Sequence, residues 1–134
     1  MKAKKLYFEE FGDARGHLVV AEGETPEQIP FVIKRVFYIY GSDSDVVRGC
    51  HANQKSEFVL INVSGTSKVK VMDGSCEKIF ELNNPREGVY IPAKIWKEMY
   101  DFSENSVLLV LSSEHYDKQE YIRNYADYLE YIKK

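Results

Sequence analysis

The sequence predicts an all-β fold closed by one C-terminal α-helix, and three observations predict it. Short runs of β-branched and aromatic residues recur from about residue 5 to about residue 112. Clusters of Gly, Asn, Asp and Ser punctuate those runs at even spacing. The last stretch breaks the rhythm, with apolar and aromatic residues at helical spacing.

In chain order, the strand candidates begin with the short apolar segment Lys5–Phe8, then Leu18–Ala21 and Lys34–Tyr40. Phe58–Val63, Lys68–Met72, Glu77–Leu82, Val89–Ile91 and Ser106–Leu111 follow. Gly41–Asp45, Ser64–Thr66, Asp73–Ser75 and Asn83–Gly88 supply the turn chemistry between them. Asp73-Gly74, flanked by two alternating strands, is the clearest hairpin signal. Strands at this spacing, with no helix between them, point to a sandwich or barrel, with a jelly roll the natural choice. Asp117 can then cap a helix, with Glu120 at the capping-box spacing. Tyr121, Ile122, Tyr125, Tyr128, Leu129 and Ile132 fall on one face of it. A helix over about 117–132 would cover an open face of the β-core. No linker, repeat or low-complexity stretch divides the chain, so residues 1–134 read as a single domain.

Composition excludes several classes. A chain of 134 residues that is 44% hydrophobic and 29% charged can bury one real core, which rules out disorder and collagen-like repeats. A net charge of −3 argues against nucleic acid or an anionic membrane as partner. Cys50 and Cys76 are too few for a disulfide framework, and no apolar stretch follows the basic N-terminus as in a signal peptide. The expected location is the cytoplasm. The aromatic content stands out, with 10 Tyr, 7 Phe and 1 Trp, a composition common in β-rich interfaces and clefts.

Of the three histidines, His51 has the informative context, within Arg48-Gly49-Cys50-His51-Ala52-Asn53 and upstream of Glu57. On a strand, period two puts Gly49, His51 and Asn53 on one face and the small Cys50 and Ala52 on the other. That suits the mouth of a narrow barrel open to a ligand. An edge strand carrying a hydrogen-bonded histidine accounts for the pattern equally well.

The spacing of His51, Asn53, Glu57 and Gly65 resembles the first cupin motif, and Pro92–Lys97 stands where the second motif lies. The resemblance implies a cupin, the jelly-roll double-stranded β-helix. The family's four ligand slots hold His51, Asn53, Glu57 and Lys97 here, a set poorly suited to a metal, so no metal is expected. A histidine, an arginine and a lysine aimed into such a barrel suit proton transfer beside a ketone. His51 can act as base, Arg48 and Lys97 can supply positive charge, and Tyr38 or Tyr90 can hand a proton to an oxygen.

The whole chain, from roughly residue 5 to 131, resembles the sugar 3,4-ketoisomerases acting on dTDP-4-keto-6-deoxyglucose. The matching stretches are Arg35–Tyr40, Arg48–Ala52, Glu98–Ser103, Val107–Ser112 and Tyr116-Asp117 with Tyr121–Tyr125. Arg48-Gly49-Cys50-His51 is also similar to the related dTDP-sugar 3,5-epimerases. The resemblance implies a cofactor-free isomerisation that moves the keto group of a dTDP-linked 4-keto-6-deoxyhexose from C4 to C3 through an enediolate. Such products feed the synthesis of 3-amino-3,6-dideoxy sugars for surface glycans. It makes His51, Arg48, Tyr38, Asn53 and Lys97 the catalytic candidates and Arg35, Glu57, Tyr90 and Tyr40 the substrate-binding ones. It also implies a homodimer exchanging an N-terminal strand, with Lys5–Phe8 the segment able to do so.

Two positions depart from the family pattern. Asn53 and Lys97 stand where histidines are usual, and an amide carries no titrating proton, so either the proton shuttle has moved to Lys97, Tyr38 or solvent, or the chain is a slower or differently directed relative. An epimerase on a similar dTDP-sugar and a non-catalytic nucleotide-sugar-binding module are the alternatives. Glu57 reads more readily as a charge partner of Lys97 or Arg48 than as a ligand. Lys68 and Lys70 read as a solvated strand face, Cys50 as small packing, and Trp96 as core or cleft wall. Arg123 is open between surface and site, and His17 and His115 receive no role.

Overall fold

The computed structural model describes residues 1–134. Its strands form where β-branched and aromatic residues cluster: β1 (Lys4–Tyr7), β2 (Glu9–Asp13), β3 (Gly16–Val20), β4 (Arg35–Tyr40), β5 (Arg48–Asn53) and β6 (Phe58–Ser64). Next come β7 (Ser67–Met72), β8 (Glu77–Leu82), β9 (Glu87–Ile91), β10 (Trp96–Tyr100), β11 (Val107–Ser112), β12 (Tyr121–Ile122) and one α-helix, α1 (Tyr125–Ile132). One sheet has the order β1-β9-β6-β11-β4 and the other β12-β5-β10-β7-β8. With β4 to β11 taken alone, this is the strand order of a jelly roll, as the sequence predicts. β7 and β8 pair in register from Ser67–Leu82 to Met72–Glu77, and Asp73 ties their turn by accepting from the backbone N–H groups of Ser75 and Cys76.

Apolar residues fill three layers. Leu60, Val69, Val71, Val89, Ile91 and Leu108 are fully buried between the two sheets. Leu6, Phe8, Ile29 and Phe31 of the N-terminal segment cover Val59, Ile61 and Leu111 on the far side of the first sheet. β6 is therefore buried on both faces, which explains its unbroken apolar run. A third cluster, Ala52, Trp96 and Tyr128, lies under α1 on the outside of the second sheet. Each fully buried Val, Leu or Ile side chain here contributes about 1.5–3 kcal/mol of transfer free energy.

The C-terminal helix is shorter than predicted. Asp117 caps only a 3-10 turn, Lys118–Glu120, accepting from the Gln119 N–H. The Glu120 side chain does not fold back into a capping box. It turns inward and accepts from the backbone N–H groups of Lys55 and Ser56. The chain then extends, pairing Tyr121 with Asn53 and Ile122 with Ala52, and α1 starts only after Asn124, which caps it through the Asp127 N–H.

Lys4–Tyr7 pairs as β1 with β9, and Leu6 and Phe8 are buried. The β2–β3 hairpin pairs with no other strand and leaves Phe11 and Leu18 exposed. No helix is long and apolar enough to cross a membrane.

Tyr128 pins α1 to the β-core: its ring is fully buried and its hydroxyl donates toward the carbonyls of Met72 (3.1 Å) and Lys94 (2.8 Å). Tyr128→Phe keeps the packing and orphans both acceptors. A loss of about 1–3 kcal/mol in urea unfolding is expected, with the m-value unchanged.

Candidate active site

A β-bulge organises the site. In the β5–β10 ladder Lys97 faces His51, but the next residue, Glu98, faces Gly49, so Cys50 is an extra residue with no partner. Gly49 and Cys50 both have positive φ, 81° and 56°. At Gly49 a Cβ would stand 3.0 Å from the Lys97 carbonyl oxygen, so the bulge needs glycine there. Strict alternation would put Arg48 and His51, three residues apart, on opposite faces. The bulge reverses the parity. Arg48 now pairs with Met99, and both it and His51 face the interior.

There they border a cavity of about 390 Å³ floored by the core residues Phe58, Leu60 and Val110. Four cationic side chains reach it, Arg35, Arg48, Lys97 and Arg123, and no carboxylate lines it. Arg35 enters from β4, where it pairs with Ser112, and donates to Ser112 Oγ (3.2 Å) and Tyr121 Oη (3.3 Å). Its guanidinium lies over the rings of Phe37 (5.2 Å) and Tyr116 (5.7 Å), an aromatic bed that fixes the fork without neutralising it. Tyr121 leans on His51 with ring centroids 4.8 Å apart, and Arg123 lies 4.7 Å over Tyr121.

Lys97 is 3% exposed, lies 4.8 Å over the Phe58 ring, and donates to Asn53 Oδ1 at 3.2 Å. Burial pushes its amine down to about 7, against a smaller upward pull from the Glu120 carboxylate. Burial, reinforced by Lys97 and Arg123, pushes the His51 imidazole down to about 3, so it is neutral at pH 7. Arg35 Nε, His51 Nδ1 and Asn53 Nδ2 are buried without a hydrogen-bond partner. Three orphaned polar atoms in one neighbourhood mark a place where a ligand supplies the missing partners.

The structure brings together His51, Arg48, Arg35 and Lys97, with Asn53 beside Lys97, and separates the other candidates from them. Tyr38 and Tyr40, expected to line the barrel, stack on each other on the outer face of β4 and are 62% and 72% exposed. Both faces of β4 are apolar, and Phe37 and Ile39 took the inner one. Glu57 and Tyr90 are also absent from the cavity. Tyr90 alternates with the inward Val89 and Ile91, packs in the second apolar layer, and donates its hydroxyl to Glu57. Glu57 is thus neither a charge partner of Lys97 or Arg48 nor placed to join His51 around a metal. No three His, Cys, Asp or Glu side chains converge anywhere in the chain, so the residues present do not fit a cupin metal.

Lys68 and Lys70 form ion pairs with Asp101 and Glu98, and Trp96 packs in the core under α1. Sequence reasoning missed Tyr116 and Tyr121 as cavity residues and left Arg123 undecided. The usable signal was the alternation Tyr121-Ile122-Arg123, which puts Tyr121 and Arg123 on one face of an extended segment and Ile122 on the other.

The family model described as WxcM-like, C-terminal (FdtA) matches residues 1–133. A TDP-4-oxo-6-deoxy-alpha-D-glucose-3,4-oxoisomerase from Aneurinibacillus thermoaerophilus is 40% identical over 134 residues, spanning 100% of this chain and 95% of its relative. Among solved structures, a histidine-to-asparagine mutant of the 3,4-ketoisomerase QdtA from Thermoanaerobacterium thermosaccharolyticum, in complex with TDP-4-keto-6-deoxyglucose, is similar with a TM-score of 0.92. It is 44% identical, covering 98% of this chain and 94% of that one. A 3,4-ketoisomerase from Helicobacter canadensis has a TM-score of 0.95 at 40% identity, covering 100% and 99%. The 3'-monoepimerase ChmJ from Streptomyces bikiniensis, in complex with dTDP-quinovose, is 16% identical (TM-score 0.77, covering 89% of this chain and 67% of that one), a likeness of fold alone.

His51 titrates lower in the folded chain than its ordinary value of 6.5. Between pH 6.5 and about 3 the unfolded chain therefore binds a proton that the folded one refuses, and stability falls as the pH drops through this window. Urea unfolding at pH 7 and pH 4.5 is expected to show a smaller acid loss in His51→Asn than in the wild type. Equal losses would contradict the assignment of a buried neutral imidazole.

Proposed function

Because the chain belongs to the WxcM-like, C-terminal (FdtA) family, we propose that it moves the keto group of dTDP-4-keto-6-deoxy-D-glucose from C4 to C3. It is a sugar-nucleotide 3,4-ketoisomerase. The observation that carries this reading is a neutral histidine in a cavity bordered by four cations and no carboxylate. Such a cavity suits a ligand that is anionic as a diphosphate and becomes anionic again as an enolate. Relatives at 40–44% identity carry the ketoisomerase name, and the epimerase likeness lies in the fold alone.

His51 takes the C3 proton, acidified by the neighbouring C4 ketone. The C3–C4 double bond forms and the electron pair settles on O4, beside Arg48. A proton moves from O3 to O4, giving an enediolate with its charge on O3. As O3 closes to a ketone, C4 takes up a proton and the keto group has moved one carbon. With Tyr38 outside the cavity, Lys97 is the group that carries the O3–O4 proton: its amine sits near 7 and loses or regains a proton at little cost. Asn53 orients Lys97 and a substrate hydroxyl. Arg35 on its aromatic bed and Arg123 face the diphosphate. Burial is the main cause of His51's poor basicity, and Lys97, Arg123 and Arg35 add to it, so a bound anion that offsets their charge raises its basicity when the base is needed.

The active species is a homodimer. β4 is the free edge of its sheet and presents Val36, Tyr38 and Tyr40 outward, an apolar strip suited to a second copy. The N-terminal strand Lys5–Phe8, or the β2–β3 hairpin that follows it, is the element that exchanges.

Incubation with dTDP-4-keto-6-deoxyglucose in heavy water is expected to yield a 3-keto sugar carrying deuterium at C4, followed by NMR. Inversion at C5, or binding of dTDP without any exchange, would replace this reading with an epimerase or a binding module. His51→Asn is expected to lower kcat by about 10²–10⁴-fold while retaining the fold. Sedimentation should give a dimer for the wild type and a monomer for Tyr38→Glu/Tyr40→Glu; a wild-type monomer at micromolar concentration would overturn the assembly.

A further inference from the structure

Lys97 is a buried amine without a counter-ion. It lies over the Phe58 ring and has a single hydrogen-bond partner, the neutral Asn53 Oδ1 at 3.2 Å. Lys5, Lys34, Lys68, Lys70 and Lys133 each pair with a carboxylate, whereas Lys97 pairs with none. Around it, β5 contributes His51 and Arg48, β4 contributes Arg35, and the segment after β12 contributes Arg123. Glu120, in the preceding turn, gives its carboxylate to the N–H groups of Lys55 and Ser56.

An ammonium enclosed by a ring, a neutral amide and three guanidinium groups is destabilised, so the amine gives up its proton easily. Its low titration, near 7, agrees with that placement. The neutral amine is a nucleophile that opens on the cavity. The surroundings favour a product with negative charge, because such a product supplies the anion that the guanidinium groups lack. Condensation with an aldehyde or ketone yields a neutral or cationic nitrogen and leaves the imbalance in place.

We infer that Lys97 is a site of reversible carboxylation by carbon dioxide, and that the resulting carbamate excludes substrate from the cavity. The nitrogen lone pair forms a bond to the carbon of carbon dioxide while one carbon–oxygen π pair moves onto oxygen. The nitrogen then releases one proton to solvent, leaving a carbamate anion, and nothing is oxidised or reduced. The carbamate keeps one N–H, so donation to Asn53 Oδ1 survives. Its two oxygens are acceptors. The donors available to them are Asn53 Nδ2, buried without a partner on the same amide, and the arginines of the lining. An anion then occupies the ground of the sugar nucleotide's own charge, and the amine that carries the O3–O4 proton is blocked. The exclusion of substrate, though not the modification, rests on the ketoisomerase reading.

Protein equilibrated with isotopically labelled bicarbonate at neutral pH is expected to show a carbamate carbon signal by NMR. Lys97→Met should lose that signal, and dTDP should remove it from the wild type. A carbamate on the α-amine of Met1 would be common to both proteins. Trapping the wild-type carbamate by methylation with trimethyloxonium, followed by mass spectrometry, should place the adduct on Lys97 even if the variant does not fold. With half of the molecules carboxylated, the apparent KM is expected to rise about twofold with kcat unchanged, and degassing at constant pH should reverse the rise. Spectra that coincide for wild type and Lys97→Met, or adducts confined to other amines, would overturn the inference. A Lys97 carbamate that leaves KM unmoved in an active enzyme would overturn the exclusion of substrate. A Lys97 carbamate in a protein that fails to isomerise the sugar would leave the modification standing and reject only the ketoisomerase reading.

Discussion

One irregularity in a strand ladder decides what this barrel can do. Regular β5–β10 pairing would give the interior His51 or Arg48 but not both, because side chains alternate faces with period two. The extra residue at Cys50, made possible by Gly49 at φ 81°, turns both inward within a single strand. Everything else in the site is placed relative to that pair. Lys97 and Met99 face it from β10, β12 flanks it on the other side, and Arg35 closes it from the opposite sheet. The interior between the sheets is otherwise filled by apolar side chains, so the bulge is where a packed core becomes a chemical site.

The second constraint is electrostatic. The cavity gathers positive charge without compensating it locally, which a fold does at a cost in stability unless a ligand is the compensation. Stacking on Phe37 and Tyr116 holds the Arg35 guanidinium while leaving Nε unpaired, and the same region orphans His51 Nδ1 and Asn53 Nδ2. The one carboxylate nearby, Glu120, is kept outside the lining and saturated by Lys55 and Ser56. It does not compete with the ligand for the arginines.

Most of the strands were legible because buried strands need β-branched and aromatic residues wherever they lie in the fold. The inward turn of His51 and Asn53 was legible too, but strict alternation put Gly49 with them and Arg48 on the opposite face, and the bulge at Gly49-Cys50 reversed that assignment. Parity was not legible on β4, where Val36, Tyr38 and Tyr40 are as apolar as Phe37 and Ile39. Only the tertiary arrangement shows which set turns inward. The helix start failed for a different reason. Asp117 and Glu120 have the right spacing for a capping box, but Glu120 found partners in Lys55 and Ser56, sixty-odd residues away, that local reasoning cannot see. The strand that resulted carried Tyr121 and Arg123 into the site. Glu57 shows the limit of motif spacing: it occupies the slot of a cupin ligand, yet lies on the other side of its sheet with Tyr90.

The charge distribution has a consequence for which anions can approach. The chain as a whole is negative, −3, while the charged side chains that line its cavity are all cationic. At physiological ionic strength fields fade over about 8 Å. A long polyanion therefore meets the repulsive exterior over most of its length, whereas a compact dianion that fits within 390 Å³ experiences mainly the attractive interior. The molecule sorts anions by size as much as by charge, and raising the salt concentration should erode that sorting along with the capture rate.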